Sequence, residues 1–341
     1  MDLKHVRDLN GNIKMNNKKA IVFGIAGQTG SYLAEHLLDQ NYKVYGMIRR
    51  NSTPEHQESR ISHLDNRIEV VYGDLLDTNS IRNLLKQSQP DEIYNLAAQS
   101  HVRISFDIQS LTTQINALGT LNILEAYREI CPQAKFLQAS SSEMFGNSCD
   151  ADGVQRLSTP MLPVSPYGVA KLYAYHIVRV YRHSYGLHAC NSICFNHESP
   201  RRGSNFVTSK VVKEAVKIKL GLSKTNILEI GNLDSYRDWG HASDYSKAQM
   251  KIINYEKPDD FIIATGKTQS VRDLINYVFT RLNLNFDTHV RINSKYFRPT
   301  ELNHLCGDAS KAKNLLGWMP QYTFEQTLDE MINHWMKELS K

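Results

Sequence analysis

Two short peptides carry side chains that could do chemistry together. Ser140-Ser141-Ser142-Glu143 offers hydroxyls and a carboxylate, and Tyr167-Gly168-Val169-Ala170-Lys171 offers a phenol and an ammonium. Tyr167 and Lys171 are one helical turn apart, so on a helix both point the same way. An ammonium beside a phenol favours phenolate, which predicts a tyrosine that acts as a base below its free pKa of ~10. Glu143, a second base, follows the apolar run Phe136-Leu137-Gln138-Ala139, which reads as a strand. Open α/β sheets keep their chemistry at the carboxyl ends of the strands, which is where Ser141 and Glu143 would lie. A Tyr-x-x-x-Lys spacing is also common on surface helices. The surrounding elements must decide.

Those elements begin with a short apolar strand, Lys19–Phe23, followed by Gly24-Ile25-Ala26-Gly27-Gln28-Thr29-Gly30. An amphipathic helix with Leu33, Leu37 and Leu38 on one side comes next and ends at Gln40-Asn41. Strand, glycine turn and helix in that order form a phosphate cradle: glycines let the backbone approach a pyrophosphate, and the helix N-terminus supplies N–H groups. The spacing is G-x-x-G-x-x-G, one residue longer than the dinucleotide fingerprint. The next strand, Lys43–Ile48, ends at Arg49-Arg50-Asn51-Ser52. An NAD site wants a carboxylate there for the ribose 2′-OH, whereas two arginines and a hydroxyl suit a 2′-phosphate. NADP is therefore the expected cofactor.

Alternation continues with a strand at Ile68–Tyr72 running into Gly73-Asp74-Leu75, and a helix over 78–88. A strand over 92–96 runs into Ala97-Ala98-Gln99-Ser100, and one long helix spans about 107–130. After the Tyr167 helix a further strand covers 188–195. Strands and helices trading places in this way predict an α/β fold, a Rossmann-type doubly wound parallel sheet. Asp74 and the Ala97-Ala98 pair would line its cofactor groove.

Periodicity weakens beyond residue 195. Asn196-His197-Glu198-Ser199-Pro200-Arg201-Arg202-Gly203 reads as a rigid loop facing an anion. Arg237-Asp238-Trp239-Gly240-His241 and Arg298-Pro299-Thr300-Glu301 are two more charged turns. Three arginine-bearing turns in the half without the cradle point to a diphosphate substrate. The expected organisation is a flexible leader at 1–16, an NADP-binding domain at 17–195 and a smaller C-terminal α/β substrate-binding domain at 196–341. Some late segments are expected to return to the first domain.

The chain has 341 residues, 41% apolar and 22% charged, with a net charge of +5 that is spread rather than blocked. That balance suits an anionic small molecule and gives no footprint for nucleic acid. Five cysteines without regular spacing imply a reducing compartment, and Cys190 and Cys194, on one strand face, read as core. No Cys/His cluster has zinc spacing, so no metal is expected. There is no apolar run of ~18 residues and no signal-peptide pattern, so a soluble cytoplasmic protein with no membrane contact is expected.

Assembled, these stretches resemble the extended short-chain dehydrogenase/reductase superfamily and, within it, the GDP-mannose 4,6-dehydratase family. The resemblance covers nearly the whole chain from about Lys18. Its most specific marks are Tyr94-Asn95-Leu96-Ala97-Ala98-Gln99-Ser100-His101-Val102, residues 195–203, Phe206-Val207-Thr208 and the 237–241 and 298–301 turns, with Leu316-Gly317-Trp318-Met319-Pro320 near the end. It implies that Tyr167, aided by Lys171 and the Ser141 hydroxyl, takes the proton of a sugar 4-OH while hydride passes to NADP. Glu143 then removes the C5 proton, water leaves from C6, and hydride returns there. The resemblance also implies cofactor contacts at Gly24, Gly27, Gln28, Thr29, Gly30, Arg49, Arg50, Ser52, Asp74 and Leu75. Further contacts fall at Leu96, Ala97, Ala98, Gln99, Ser100, Lys171, His197 and Arg202. Ser100, Asn196, Arg237, Arg298 and Glu301 would meet the GDP-sugar.

This sequence departs from the family's pattern at several places. Ser141 stands for a threonine and keeps the hydroxyl, and Thr29 stands for an acidic residue, which is expected to loosen the cradle slightly. Leu111 replaces a tyrosine that touches the cofactor, and the segment after Ser52 is short. The family implies a homo-oligomer, a tetramer or dimer. A GDP-manno-heptose dehydratase is the nearest alternative. A nucleotide-sugar epimerase or reductase is disfavoured because Glu143 would have no elimination to perform, and a non-catalytic scaffold because none of the catalytic residues is missing.

Overall fold

The computed structural model describes residues 18–52 and 58–341. The expected leader at 1–16, and most of the short segment after Ser52, lie outside the described residues.

The first half alternates as its hydrophobic pattern requires: β1 (Lys19–Phe23), α1 (Gln28–Asp39), β2 (Lys43–Ile48), β3 (Ile68–Tyr72), α2 (Thr78–Ser88) and β4 (Glu92–Asn95). Two short helices follow, α3 (Val102–Ser105) and α4 (Gln109–Thr113), then α5 (Gly119–Ile130), β5 (Lys135–Ser141), α6 (Pro166–Tyr185) and β6 (Ala189–Cys194). Later come β7 (Asn196–Glu198), α7 (Val207–Lys219), β8 (Leu228–Ile230), β9 (Tyr236–Arg237), β10 (Trp239–His241), α8 (Ala242–Ile253) and β11 (Asp260–Ile263).

Seven strands form one parallel sheet in the order β11-β6-β5-β4-β1-β2-β3. The order reverses between β1 and β4, and a ligand crevice opens outside the strand ends at such a switch point. Both faces of the sheet are covered, which is why β1 and β6 read as unbroken buried runs rather than alternating ones. On one face Ala20 and Val22 pack with Leu33 and Leu37 of α1 and Tyr245 and Ile252 of α8. On the other, Ile21 and Phe23 pack with Leu84, Ile123, Tyr127 and Val178. Cys190 and Cys194 sit in the first of these clusters as free, buried thiols.

One feature differs from the sequence pattern. The expected continuous helix over 107–130 is interrupted: between α4 and α5 the chain makes one π-helical turn, Gln114–Leu118. The sheet's seventh strand, β11, together with α8, comes from the C-terminal half. A separate apolar cluster made of residues from 211 onward joins Val211, Val212, Leu228, Leu274 and Met331 away from the sheet.

Candidate active site

The glycine turn explains itself sterically. Gly24 has φ +82, and a Cβ there would lie 2.8 Å from the Ala97 nitrogen, while one at Gly30 would lie 2.3 Å from the Gly24 oxygen. Without side chains, β1 can turn into α1 hard against the end of β4, and the N-terminus of α1, which has no side-chain cap, faces the crevice. One cavity of about 1170 Å³ runs along these strand ends. Every candidate site residue lines it except Arg50 and Ser52. Those two lie off the groove: Arg50 turns back to donate to the Asn51 carbonyl at 2.9 Å, and Ser52 is exposed.

Thr29 ties the cradle to β7. Its hydroxyl lies 2.8 Å from Nε2 of His197, whose Nδ1 is 2.9 Å from the Phe195 carbonyl. A carbonyl only accepts, so the network assigns the ring proton to Nδ1 and makes Nε2 the acceptor of the Thr29 hydroxyl. Desolvation, reinforced by the Arg202 charge, pushes His197 down to about 4, so the ring is neutral. Gln28 adds a second tie, donating to the His197 carbonyl at 3.0 Å and accepting from Ser199 at 2.8 Å. The glycine turn and β7 are thereby stitched together by side chains from both.

At the centre, Ser141 ends β5 and accepts from the Glu143 N–H at 3.3 Å, which starts a tight turn over Ser142–Phe145. α6 starts at Pro166 under a Ser165 cap, bringing Tyr167 within hydrogen-bond reach of Ser141. The expected phenolate is not the resting state. Burial pushes the Tyr167 phenol up to about 12, against a lowering by Ser141. Lys171 is itself driven down to about 8 by burial. Its ammonium donates to the Ala139 carbonyl at 2.8 Å and sits 5.9 Å from the Tyr167 ring centre. Taking both groups out of water disfavours the charged form of each, which keeps Tyr167 a phenol and leaves Lys171 an ammonium below about 8.

Asn116 was not among the expected site residues. It sits in the π-turn, nearly fully buried, and grips Gln99 from both sides: its amide accepts from the Gln99 N–H at 2.9 Å and donates to the Gln99 carbonyl at 2.9 Å. The turn thus fixes the backbone of the 96–100 segment that lines the groove. A lone asparagine in a long amphipathic run gives no signal beyond being polar on the buried side.

The far end of the cavity is cationic. Arg237 is buried, donates to the Tyr236 carbonyl at 2.8 Å, and is pushed down to about 10 by burial and then by the Arg298 charge. Asp238 holds that turn in place, accepting from Thr265 N (2.8 Å), Thr265 Oγ1 (2.6 Å), Gly266 N (2.8 Å) and Gly307 N (3.3 Å). Arg298 donates its backbone N–H to Glu301 at 2.8 Å and its guanidinium to Glu143 at 3.1 Å. Arg202 lies 3.0 Å from Glu198, with its guanidinium 3.7 Å over the Phe206 ring. Lys210, also missed from sequence, has a buried ammonium with no hydrogen-bond partner among the described residues, 3.2 Å over the Tyr296 ring. Burial pushes it down to about 8. Asn196 Oδ1 and Glu143 Oε2 are likewise buried without partners among the described residues. The Lys210 orphan calls for an anion, and the two orphan acceptors call for hydrogen-bond donors such as hydroxyls on the same ligand.

A family model described as GDP-mannose 4,6 dehydratase matches residues 21–331. The chain belongs to this family. A GDP-mannose 4,6 dehydratase of Drosophila melanogaster is 44% identical, covering 93% of this chain and 85% of its own. That of Yersinia enterocolitica is 44% identical over 92% of this chain and 93% of its own. Among solved structures, the dTDP-glucose 4,6-dehydratase of Bacillus anthracis in complex with NAD superposes with a TM-score of 0.81 at 23% identity. It covers 95% of this chain and 98% of that one, a likeness of fold. A nicotinamide dinucleotide fits the groove: the turn closes too tightly for side chains at Gly24 and Gly30, and the α1 N-terminus lies open beside it.

Proposed function

We propose that this chain removes water from GDP-mannose to give GDP-4-dehydro-6-deoxymannose, with NADP as cofactor. The observation that carries this is the placement of Glu143, a second base, in the same cavity as the Tyr167–Lys171 pair and four cations. A dehydrogenase needs only the pair; an elimination needs the extra carboxylate. The chemistry a bound nicotinamide supplies is reversible hydride storage, so the cycle has no net redox change.

Each protein group then has a task. Lys210, Arg237 and Arg298 bind the diphosphate and orient the sugar, and Arg202, near His197, contacts the cofactor. Tyr167, once its phenol proton has been released to solvent, takes the proton of the 4-OH with the Ser141 hydroxyl beside it, and the Lys171 ammonium steadies that phenolate in its buried site. A 4-keto group acidifies the C5 proton, which Glu143 removes. The protonated carboxyl can return that proton to the departing C6 hydroxyl, so that water leaves. Arg49 at the end of β2, with no acidic residue in the 49–52 turn, supports NADP over NAD. The apolar cluster of residues from 211 onward serves as the core of a lobe that binds the nucleotide end. Exposed Val169, Tyr173 and Val180 on α6, beside exposed Leu111 and Leu118, form an apolar face suited to pairing with a second copy.

Mass spectrometry tests the substrate directly. With NADP and GDP-mannose, loss of one water without accumulation of NADPH is expected. Dehydration of GDP-manno-heptose alone would move the substrate and keep the chemistry. No dehydration of either would overturn the role of Glu143.

A further inference from the structure

Arg60 stands just before the short turn Ser62–Leu64 and lines the cavity together with Ala26, Arg49 and Asn51. Its Nε donates to the Arg201 carbonyl at 2.8 Å and its Nη1 to the Ala26 carbonyl at 3.3 Å. No carboxylate pairs with it among the described residues, and the charge felt nearest to it is another cation, Arg201. A half-buried guanidinium with five donors, two of them engaged by carbonyls, keeps donors for an anion. Ala26 is the middle of the glycine turn, and Arg49 ends β2, where a sheet of this kind holds the adenosine ribose. Arg60 therefore stands across the turn from Arg49, at the ribose end of the groove.

We propose that Arg60 is a second cation for the cofactor's 2′-phosphate, aimed by the Ala26 and Arg201 carbonyls. The proposal rests on the NADP reading above. It adds a specificity residue that the 49–52 turn does not contain. Because Arg60 also holds the Arg201 carbonyl, the same side chain ties the phosphate site to the segment that carries His197 and Arg202.

Titration calorimetry with 2′,5′-ADP and 5′-AMP isolates this end of the groove, since the two probes differ only in the 2′-phosphate. The wild-type protein should prefer 2′,5′-ADP. Arg60→Ala should weaken 2′,5′-ADP by ~10- to 100-fold, the range of a charge-assisted contact, and leave 5′-AMP within about twofold. Arg60→Lys should recover part of the loss. If the wild type prefers 2′,5′-ADP but Arg60→Ala leaves that preference unchanged, or weakens both probes equally, the proposal is wrong and the NADP reading stands. If the wild type binds the two equally, the NADP reading falls and this proposal with it. Should Arg60→Ala not fold, Arg60→Gln keeps an amide for one of the carbonyls without the charge and is judged by the same comparison.

Discussion

Arg298 and Glu143, 155 residues apart in sequence, are joined by a guanidinium-to-carboxylate hydrogen bond of 3.1 Å. One oxygen of the proposed elimination base is thus held by a cation from the substrate half, and the other is buried without a partner among the described residues. A diphosphate that draws Arg298 away would free that Glu143 oxygen to face the sugar.

Glu143→Gln keeps the shape and removes the base. Dehydration should fall by ~100- to 10,000-fold, the usual contribution of a general base, while NADP binding stays within about twofold. Exchange of the C5 hydrogen with deuterated solvent reads the step, and normal exchange in the variant would remove Glu143 from the mechanism.

The pH profile should report Lys171. Its ammonium is present below about 8 and lost above it, so kcat/KM should decline on the alkaline side near that value. Stability runs the other way. Between about 8 and the ordinary lysine value of 10.5 the unfolded chain holds a proton that the folded one has released, so folding becomes more favourable as pH rises through that window. Lys171→Met should flatten this rise in a chemical-denaturation series, and an unaltered slope would assign it to another group.

Arg237 should matter for binding more than for fold. Arg237→Ala removes a buried cation that lacks a carboxylate partner in its own turn, so KM for GDP-mannose should rise by ~10- to 100-fold, and Arg237→Lys should restore little because a point charge cannot replace the planar fork. Steady-state kinetics at saturating NADP decide it; an unchanged KM would move the diphosphate elsewhere.

Thr29→Val deletes the donor to His197 and leaves the shape. The loss of one hydrogen bond, about 1 kcal/mol, should lower Tm by about 1–2 °C and weaken NADP several-fold. Equal stability and affinity in the variant would mean that the 2.8 Å contact holds nothing.

The apolar face of α6 should drive self-association. Val180→Glu places a charge in its middle and should shift sedimentation toward the monomer, with the far-UV spectrum unchanged. A variant that sediments like the wild type would put the subunit contact on another surface.

Much of this arrangement was legible in the sequence. Strand patterning predicted the parallel sheet, and the glycine turn, Ser141, Glu143, Tyr167 and Lys171 were all readable, because each is a residue type at a spacing that a strand end or helix turn imposes. Lys210, Asn116 and Arg60 were not, since each is one polar residue whose use depends on what folds over it. Which late segment returns was equally hidden: Asp260–Ile263 is four residues of ordinary apolar strand, and nothing local says which sheet it joins. The protonation of Tyr167 needed the structure too, because spacing shows the neighbour and burial decides the charge.

β7 and β10 form a ladder in which His197 pairs with Gly240 and Asn196 with Trp239. One strand reaches the dinucleotide groove through His197; the other continues from Arg237 at the sugar end. Ligands at the ladder's two ends would share this support, and any coupling between them is reciprocal: by whatever factor the bound dinucleotide tightens the sugar nucleotide, the sugar nucleotide tightens the dinucleotide by the same factor. Where that factor exceeds one, the cofactor is held more tightly for as long as the sugar nucleotide is bound.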